Sequence, residues 1–340
     1  MSVDNLRTGA NINVRTSVLN LVICAPDVES ARYASKLLRD LSSTHIARVT
    51  LVILDRSADA LDAFESWVTL RCFSVISDLM RHCFEQATLL ASGRATCALP
   101  SLLPAVLKAH LPVYLWWIGD TRGADDTVFR TMSELCQRVI VDSATFFHPE
   151  RDIQALASYC QETPTVALSD LNWGRLTPWR HLVAQFFDVS AYLPFLAEIE
   201  CIEIEYVAAP LASVRRTKTG EVSPNPTGAL LLAGWLKARL NMSLASEGEK
   251  SLPTMTTGAY QWLLDLPSGT KQAILQIQPH IQADLRPGSI YLVRLTCTSQ
   301  NKRTIFTTKR DADTNYVQTS VHCVKGPRPM RTVKLPDRHQ

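Results

Sequence analysis

The sequence predicts an α/β protein, with a Rossmann-like or flavodoxin-like three-layer parallel-sheet domain followed by an α+β domain with antiparallel strands. Strand-like apolar runs alternate with helical segments through the first half of the chain. After Pro164 the pattern changes to a few helices and then to closely spaced strands separated by turns. The length of 340 residues also exceeds one typical core. We therefore expect domains over residues 1–165 and 166–340.

The elements of the first domain follow from its periodicity. The apolar run Val18–Ala25 predicts a buried strand that Pro26 ends, and Asp27 is placed to cap the helix that follows. Further strands are predicted at 48–54, 67–75, 85–92, 112–118 and 139–141, and helices at 100–110, 129–138 and 150–161. Strands separated by helices of this length indicate a mostly parallel sheet with both faces covered.

The second domain begins with an amphipathic helix near Pro178. Residues 201–207 alternate strictly, which predicts a half-buried strand with Glu203 and Glu205 facing water. A loop is expected at 209–226, and a buried helix follows it. This helix is predicted at 227–240, and strands are predicted at 260–266, 273–281, 289–298, 303–308 and 316–324.

Charge and cysteine usage exclude several classes of protein. The net charge of +3 is too small to indicate a nucleic-acid or membrane partner. Five basic residues from Lys325 onward face one acid, so the tail is basic and is expected to be weakly ordered or to lie along a sheet edge. The nine cysteines form no CxxC pair, which favours a reducing cytoplasm over a disulfide framework. Neither a signal peptide nor a span of about 20 apolar residues is visible.

The motifs of enzyme and cofactor sites are missing from the sequence. The turn after the first strand, CAPDVES, lacks the glycines that let a pyrophosphate approach the backbone. No GxxxxGK[ST], GxSxG or HExxH motif occurs, and the eight histidines are isolated from one another. We therefore expect no catalytic residues, cofactor or metal.

Two tryptophan-bearing stretches are candidates for contact with a partner. Trp116 and Trp117 end one strand and place one indole on each face of the sheet, where core packing competes with a role in a cleft or interface. Residues 170–188, DLNWGRLTPWRHLVAQFFD, predict a loop that ends at Pro178 in the first turn of a helix, with Thr177 as the N-cap.

Arginine and tryptophan are enriched at the energetic centres of interfaces, which favours a binding role for this motif. The alternative is internal. Trp179 then packs in the core as the start of the apolar stripe of the helix, and Arg175 or Arg180 pairs with Asp170 or Asp188. Our hypothesis is that at least one of the two arginines faces a partner.

The motif resembles the signature of the glucose-6-phosphate dehydrogenase assembly protein (OpcA) family. RTSVLNLVI at 15–23, LPVYLWW at 111–117, RVIVDS at 138–143 and ALLLAGWLKARL at 229–240 support the resemblance in the same order along the chain. The resemblance implies a noncatalytic assembly factor and allosteric activator that binds glucose-6-phosphate dehydrogenase in the oxidative pentose phosphate pathway. The candidate partner-binding residues are Asp170, Asn172, Trp173, Arg175, Trp179, Arg180, Trp116 and Trp117.

Two alternatives stay open. One is an enzyme that acts on a sugar phosphate of the same pathway, although the sequence shows no clustered acid, base or nucleophile. The other is a metabolite-sensing α/β protein that keeps a pocket at the carboxyl edge of its sheet without catalysis.

Overall fold

The computed structural model describes residues 17–41, 47–57, 59–74, 81–119, 126–146, 148–208, 225–245, 258–282, 285–299, 302–311, 315–323 and 326–335. The predicted loop at 209–226 lies outside them except for its last two residues, as do residues 336–340 of the tail. The chain divides into two compact units. The first contains the residues up to Asp142 and Arg151–Asp170, and the second contains Ser143–Glu150 and the chain from Leu171 onward.

The first unit is built on a seven-stranded sheet in the order β3-β4-β2-β1-β5-β6-β7. Its strands are β1 (Leu19–Ala25), β2 (Ala47–Asp55), β3 (Ala63–Ser74), β4 (Arg81–Ser92), β5 (Val113–Trp117), β6 (Arg138–Val141) and β7 (Ala167–Asp170). Its helices are α1 (Val28–Leu41), α2 (Leu99–Val106), α3 (Thr127–Glu134) and α4 (Pro149–Glu162), whose first two residues belong to the second unit. All neighbouring strands are parallel except β3 and β4. This sheet confirms the predicted α/β class.

The first helix shows how the sequence produces this layer. An Asp27 side-chain oxygen accepts a hydrogen bond of 2.7 Å from the Ser30 amide, which confirms the predicted cap. Ala31 and Ala34 of α1 are buried in one cluster with Ile23 of β1 and residues of β2. Small residues at these positions let the helix lie close to the two central strands.

Two helices of the first unit are shorter than predicted. The helix expected at 129–138 is α3, and Asp126 caps it by accepting hydrogen bonds from the Val128 and Phe129 amides. Arg138 already belongs to β6. The helix expected at 100–110 ends at Val106, because Leu107 is extended and His110 has a φ of 66°.

The second unit is built on an eight-stranded sheet in the order β15-β14-β13-β12-β8-β11-β10-β9. Its strands are β8 (Ile199–Ala208), β9 (Ser243–Leu244), β10 (Tyr260–Asp265), β11 (Gln272–Ile281), β12 (Ile290–Ser299), β13 (Lys302–Arg310), β14 (Tyr316–Cys323) and β15 (Gly326–Lys334). Its helices are α5 (Leu171–Arg175), α6 (Thr177–Ala184) and α7 (Thr227–Arg239). Among the described strands of this unit only β8 and β11 pair in parallel, so the expectation of antiparallel strands is confirmed for the rest. The basic tail supplies β15, which runs along the edge as expected.

One face of this sheet carries the core of the second unit. Tyr206 and Phe306 are fully buried there, together with Leu232 of α7. Glu203 and Glu205 project to the other face, but they are only partly open to water, which corrects the prediction of two solvated acids. Glu203 binds Arg294 at 2.6 Å, and Glu205 lies 3.3 Å from Nδ1 of His280. Side chains on neighbouring strands thus partly cover these two acids from water.

Candidate partner-binding site

The tryptophan–arginine motif is helical from Leu171 onward, which corrects the predicted loop. β7 ends at Asp170, α5 begins at the next residue, and α6 follows after Leu176. The amide of Leu176 donates to the carbonyls of Asn172 and Trp173, so the turn between the helices is closed by backbone hydrogen bonds. Thr177 is the first residue of α6 and forms no side-chain cap; Pro178 lies in the first turn, where proline is tolerated.

Arg180 is held inside this pair of helices. Its guanidinium carbon lies 3.5 Å from the centre of the Trp173 ring, a close cation–π contact. Nη1 donates to the Trp173 carbonyl at 2.8 Å, and Nη2 donates to the Thr177 hydroxyl at 2.9 Å. Partial burial lowers the pKa of this arginine. The predicted pairing of Arg180 with an acid is therefore wrong, because the side chain fastens α6 to α5 instead.

Two other candidates face the interior. Trp179 is 2% exposed and packs in the core of the second unit, in agreement with the internal alternative. Asn172 is also buried, and its Nδ2 donates to the Ser143 hydroxyl at 3.1 Å. Gly228 lies beside this amide. Both side chains are positioned to stabilise the helix pair and cannot present a surface to another protein.

The outward side of the helix pair is formed by a different set of residues. Leu171, Gly174 and Arg175 are exposed, and Trp173 is half-buried with Arg180 stacked upon it. Gly174 leaves open space around it, since an added Cβ would meet no atom within 4 Å. We call these five residues the helix-pair surface. It combines an apolar side chain, an indole edge and a cation, which is the composition of interface centres. Asp170 is half-buried at the end of β7 in the first unit.

A neighbouring apolar segment escaped the sequence analysis. Residues Ser190–Glu198 form a 3₁₀ segment in which Tyr192 and Phe195 pack against Phe306. Leu193 is 50% exposed. The segment has the sequence SAYLPFLAE. Its high apolar content, without helical or strand periodicity, is the sequence feature by which it could have been recognised.

The two tryptophans of β5 lie in the first unit on opposite sides of the sheet. Trp117 is 4% exposed and meets Phe129 edge-to-face at 5.2 Å, while the Arg56 guanidinium lies 5.8 Å from the indole. Trp116 is half-buried and packs on the cluster beneath α1. Trp117 is therefore a core residue, and Trp116 has only part of its surface available.

The turn where a dinucleotide fold binds pyrophosphate carries an acid in this chain. Only Pro26 and Asp27 connect β1 to α1, and the Asp27 carboxylate already occupies the amide at the start of the helix. A Cβ on Gly119, at the end of the neighbouring strand, would meet the Pro26 ring at 3.3 Å. The Asp27 carboxylate thus supplies the negative charge that the positive end of the α1 dipole favours.

Metal ligands and membrane-crossing helices are two further features that bear on function. The described residues include no group of three or more histidine, cysteine, aspartate or glutamate side chains that could hold a metal ion. The helices of the described part of the chain are too short or too polar to cross a membrane.

Two family models match this chain, and each covers most of one unit. The model described as the C-terminal domain of the glucose-6-phosphate dehydrogenase subunit matches residues 166–340, and the one described as the N-terminal domain of that subunit matches residues 38–158. The chain belongs to the OpcA family. An OpcA-family relative, the OxPP cycle protein OpcA of Nostoc punctiforme, is 32% identical over 169 residues, which cover 50% of this chain and 32% of that protein. The protein of the same name from Synechocystis is 29% identical over 164 residues, covering 48% and 31%. The matched regions therefore span about a third of these relatives.

Solved structures with a similar course of the chain include an NAD binding oxidoreductase from Klebsiella pneumoniae. It has a TM-score of 0.48 and 12% identity, and the match covers 94% of this chain and 80% of that one. An oxidoreductase from Bacillus cereus has a TM-score of 0.43 and 12% identity, with 94% and 84% covered.

Proposed function

We propose that this chain is a noncatalytic assembly factor and allosteric activator that binds glucose-6-phosphate dehydrogenase. The observation that carries the proposal is the match of both units to domains described as parts of a glucose-6-phosphate dehydrogenase subunit. The OpcA relatives carry the name of an OxPP cycle protein, which supports the same pathway.

The β1–α1 turn supports a noncatalytic role. In a dinucleotide-binding dehydrogenase, free amides at this helix start receive the pyrophosphate. Here Asp27 satisfies the Ser30 amide, and its negative charge would repel a phosphate from the same position. The α/β layer then acts as a scaffold for a partner, and the hydride transfer takes place on the dehydrogenase.

The helix-pair surface is the part of the chain that we assign to the dehydrogenase. Arg175 is exposed beside Leu171, so a partner carboxylate and an apolar side chain can be bound together. The stack of Arg180 on Trp173 holds this surface rigid, which lowers the entropic cost of binding. Asn172 and Trp179 are buried on the inner side of α5 and α6 and hold the two helices in place.

We place this association in the cytoplasm, with neither nucleic acid nor membrane as a partner. Seven cysteines, namely Cys24, Cys97, Cys136, Cys160, Cys201, Cys297 and Cys323, are free thiols, which fits a reducing compartment.

The proposal is tested by isothermal titration calorimetry of the purified chain against the purified dehydrogenase of the same organism. Wild type should bind, and Arg175→Ala should weaken the dissociation constant by about tenfold, the loss expected for an interfacial charge–carboxylate contact. Arg239→Ala, at an exposed arginine of α7 in the same unit, is the matched control and should bind like wild type. No detectable heat and no co-elution with wild type would refute the proposal.

A further inference from the structure

Among the described residues of the first unit, no helix covers one strip of the sheet. Parallel neighbours such as β2 and β4 are usually joined by a crossover helix, but here β3 returns antiparallel beside β4, and the described residues between β2 and β4 include no helix. Strands lie about 4.8 Å apart and packed helices about 10 Å, so one helix covers two strands. Because α1 covers β1 and β2, the strip formed by β4 and β3 on the same face has room for one more helix.

A groove of about 430 Å³ occupies this position. Its floor is formed by Gln86 and Thr88 of β4, one wall by the side of α1, and the other by Trp67 and Thr69 of β3. The register explains this arrangement, since Trp67 pairs with Thr88 and Thr69 pairs with Gln86 across the two strands. Side chains two residues apart on a strand share a face, so all four side chains line the same groove.

The floor contains an unsatisfied polar group. Gln86 is 2% exposed, and its Nε2 donates to the Thr88 hydroxyl at 3.3 Å, while its Oε1 has no hydrogen-bond partner. Turning the amide over would leave the nitrogen unpaired instead, so one of the two atoms lacks a partner in either orientation. Buried polar atoms are almost always paired in native proteins, so this atom is an exception in the floor of the groove.

The walls of the groove indicate the chemistry of a partner that could lie over this floor. Trp67 is 44% exposed, although large aromatic side chains are usually more buried than this. On the opposite wall Arg32 and Lys36 lie one helical turn apart, and neither forms an ion pair with a described residue. The described residues that line the groove include no acid; Glu29 and Glu65 lie beyond it, toward the carboxyl edge of the parallel strands.

We infer that this groove docks an amphipathic helix of glucose-6-phosphate dehydrogenase, packed beside α1 over β4 and β3. Its apolar stripe contacts Trp67, and carboxylates along one edge face Arg32 and Lys36. The gap is one helix wide, and the positive wall is complementary to an acidic helix edge. The inference rests on the proposed function for the identity of the partner, and it adds a contact on the first unit.

Photocrosslinking tests the occupant directly. The chain carrying p-benzoylphenylalanine in place of Trp67 is irradiated with the purified dehydrogenase, and the linked peptide is mapped by mass spectrometry. The same probe in place of Val68 is the control, because this neighbour is 70% exposed on the other face of the strand. A dehydrogenase helix with an apolar stripe and an acidic edge, linked from position 67 and not from 68, supports the inference. Linkage to a second copy of this chain, to another part of the same chain, or equally from both positions overturns it.

Charge reversal tests the positive wall. Arg32→Glu combined with Lys36→Glu should weaken dehydrogenase binding by at least about tenfold, with a smaller effect at high salt. Lys108→Glu, at another exposed lysine of the first unit, should bind like wild type. Circular dichroism and the melting temperature confirm that each variant is folded. If wild type binds and the double variant binds equally well, the groove assignment is wrong while the proposed function stands. If wild type itself does not bind, the proposed function fails.

Discussion

Replacing Arg180 with alanine removes the side-chain contacts that join α6 to α5 and one hydrogen bond within α6. The variant loses the hydrogen bonds of 2.8 Å to the Trp173 carbonyl and 2.9 Å to the Thr177 hydroxyl. It also loses the stack of the guanidinium on the Trp173 ring, at 3.5 Å from the ring centre. Each hydrogen bond contributes about 1 kcal/mol net, and a partly exposed cation–π contact adds about 0.5–1 kcal/mol. Because these contacts are partly open to water, we expect a total loss of about 2 kcal/mol.

The assay is thermal unfolding followed by near-ultraviolet circular dichroism. For a unit of about 180 residues, a loss of about 2 kcal/mol lowers the melting temperature by roughly 4–8 °C, and the environment of Trp173 should change with it. Arg180→Lys keeps the charge but loses the planar fork, so it should recover only part of the stability.

Arg239→Ala serves as the control for removal of an exposed arginine and should melt like wild type. Should Arg180→Ala also melt at the wild-type temperature, the stack does not stabilise the helix pair. Arg180 would then have to be assigned to the partner together with Arg175.

Further consequences concern the core, the first helix, the thiols and the tail. Phe306→Ala empties the centre of an aromatic cluster and should cost about 3–5 kcal/mol in a urea titration; a loss below about 1 kcal/mol would contradict the packing. Asp27→Ala removes the α1 cap and should cost about 1 kcal/mol, whereas Asp27→Asn should lose much less. Burial raises the pKa of Cys24, so native protein treated with iodoacetamide near neutral pH should be alkylated at exposed Cys97 and protected at Cys24; equal labelling of both would be inconsistent with this burial. A chain stopped before β15 should expose the edge of β14 and lose stability, and an unchanged melting temperature would show that this strand contributes nothing.

Much of the first unit was predictable because its elements depend on local signals. Continuous apolar runs give the buried parallel strands, and Asp27 before a helical repeat gives the cap. The antiparallel pairing of β3 with β4 was not predictable, because a strand pattern does not specify which neighbour it pairs with. The same limit applies to the parallel pairing of β8 with β11.

The motif shows a second limit. Gly174 and Pro178 suggest a loop, yet the backbone hydrogen bonds from the Leu176 amide and the burial of Trp179 hold the segment in two helices. Trp179 was recognisable as a core residue because it begins an apolar stripe. The stack of Arg180 on Trp173 depends on the angle between two short helices, and sequence spacing alone does not give that angle. The spacing of the residues therefore does not decide which of the two arginines is exposed. In the structure the exposed arginine is Arg175.

The most direct test of the central claim is an initial-rate measurement with glucose-6-phosphate and NADP. The chain alone should reduce no NADP, and adding it to a fixed amount of the dehydrogenase should raise the rate until it saturates at the concentration expected from the calorimetric dissociation constant. A dehydrogenase rate that stays constant under saturating chain, or NADP reduction by the chain on its own, would contradict a noncatalytic activator.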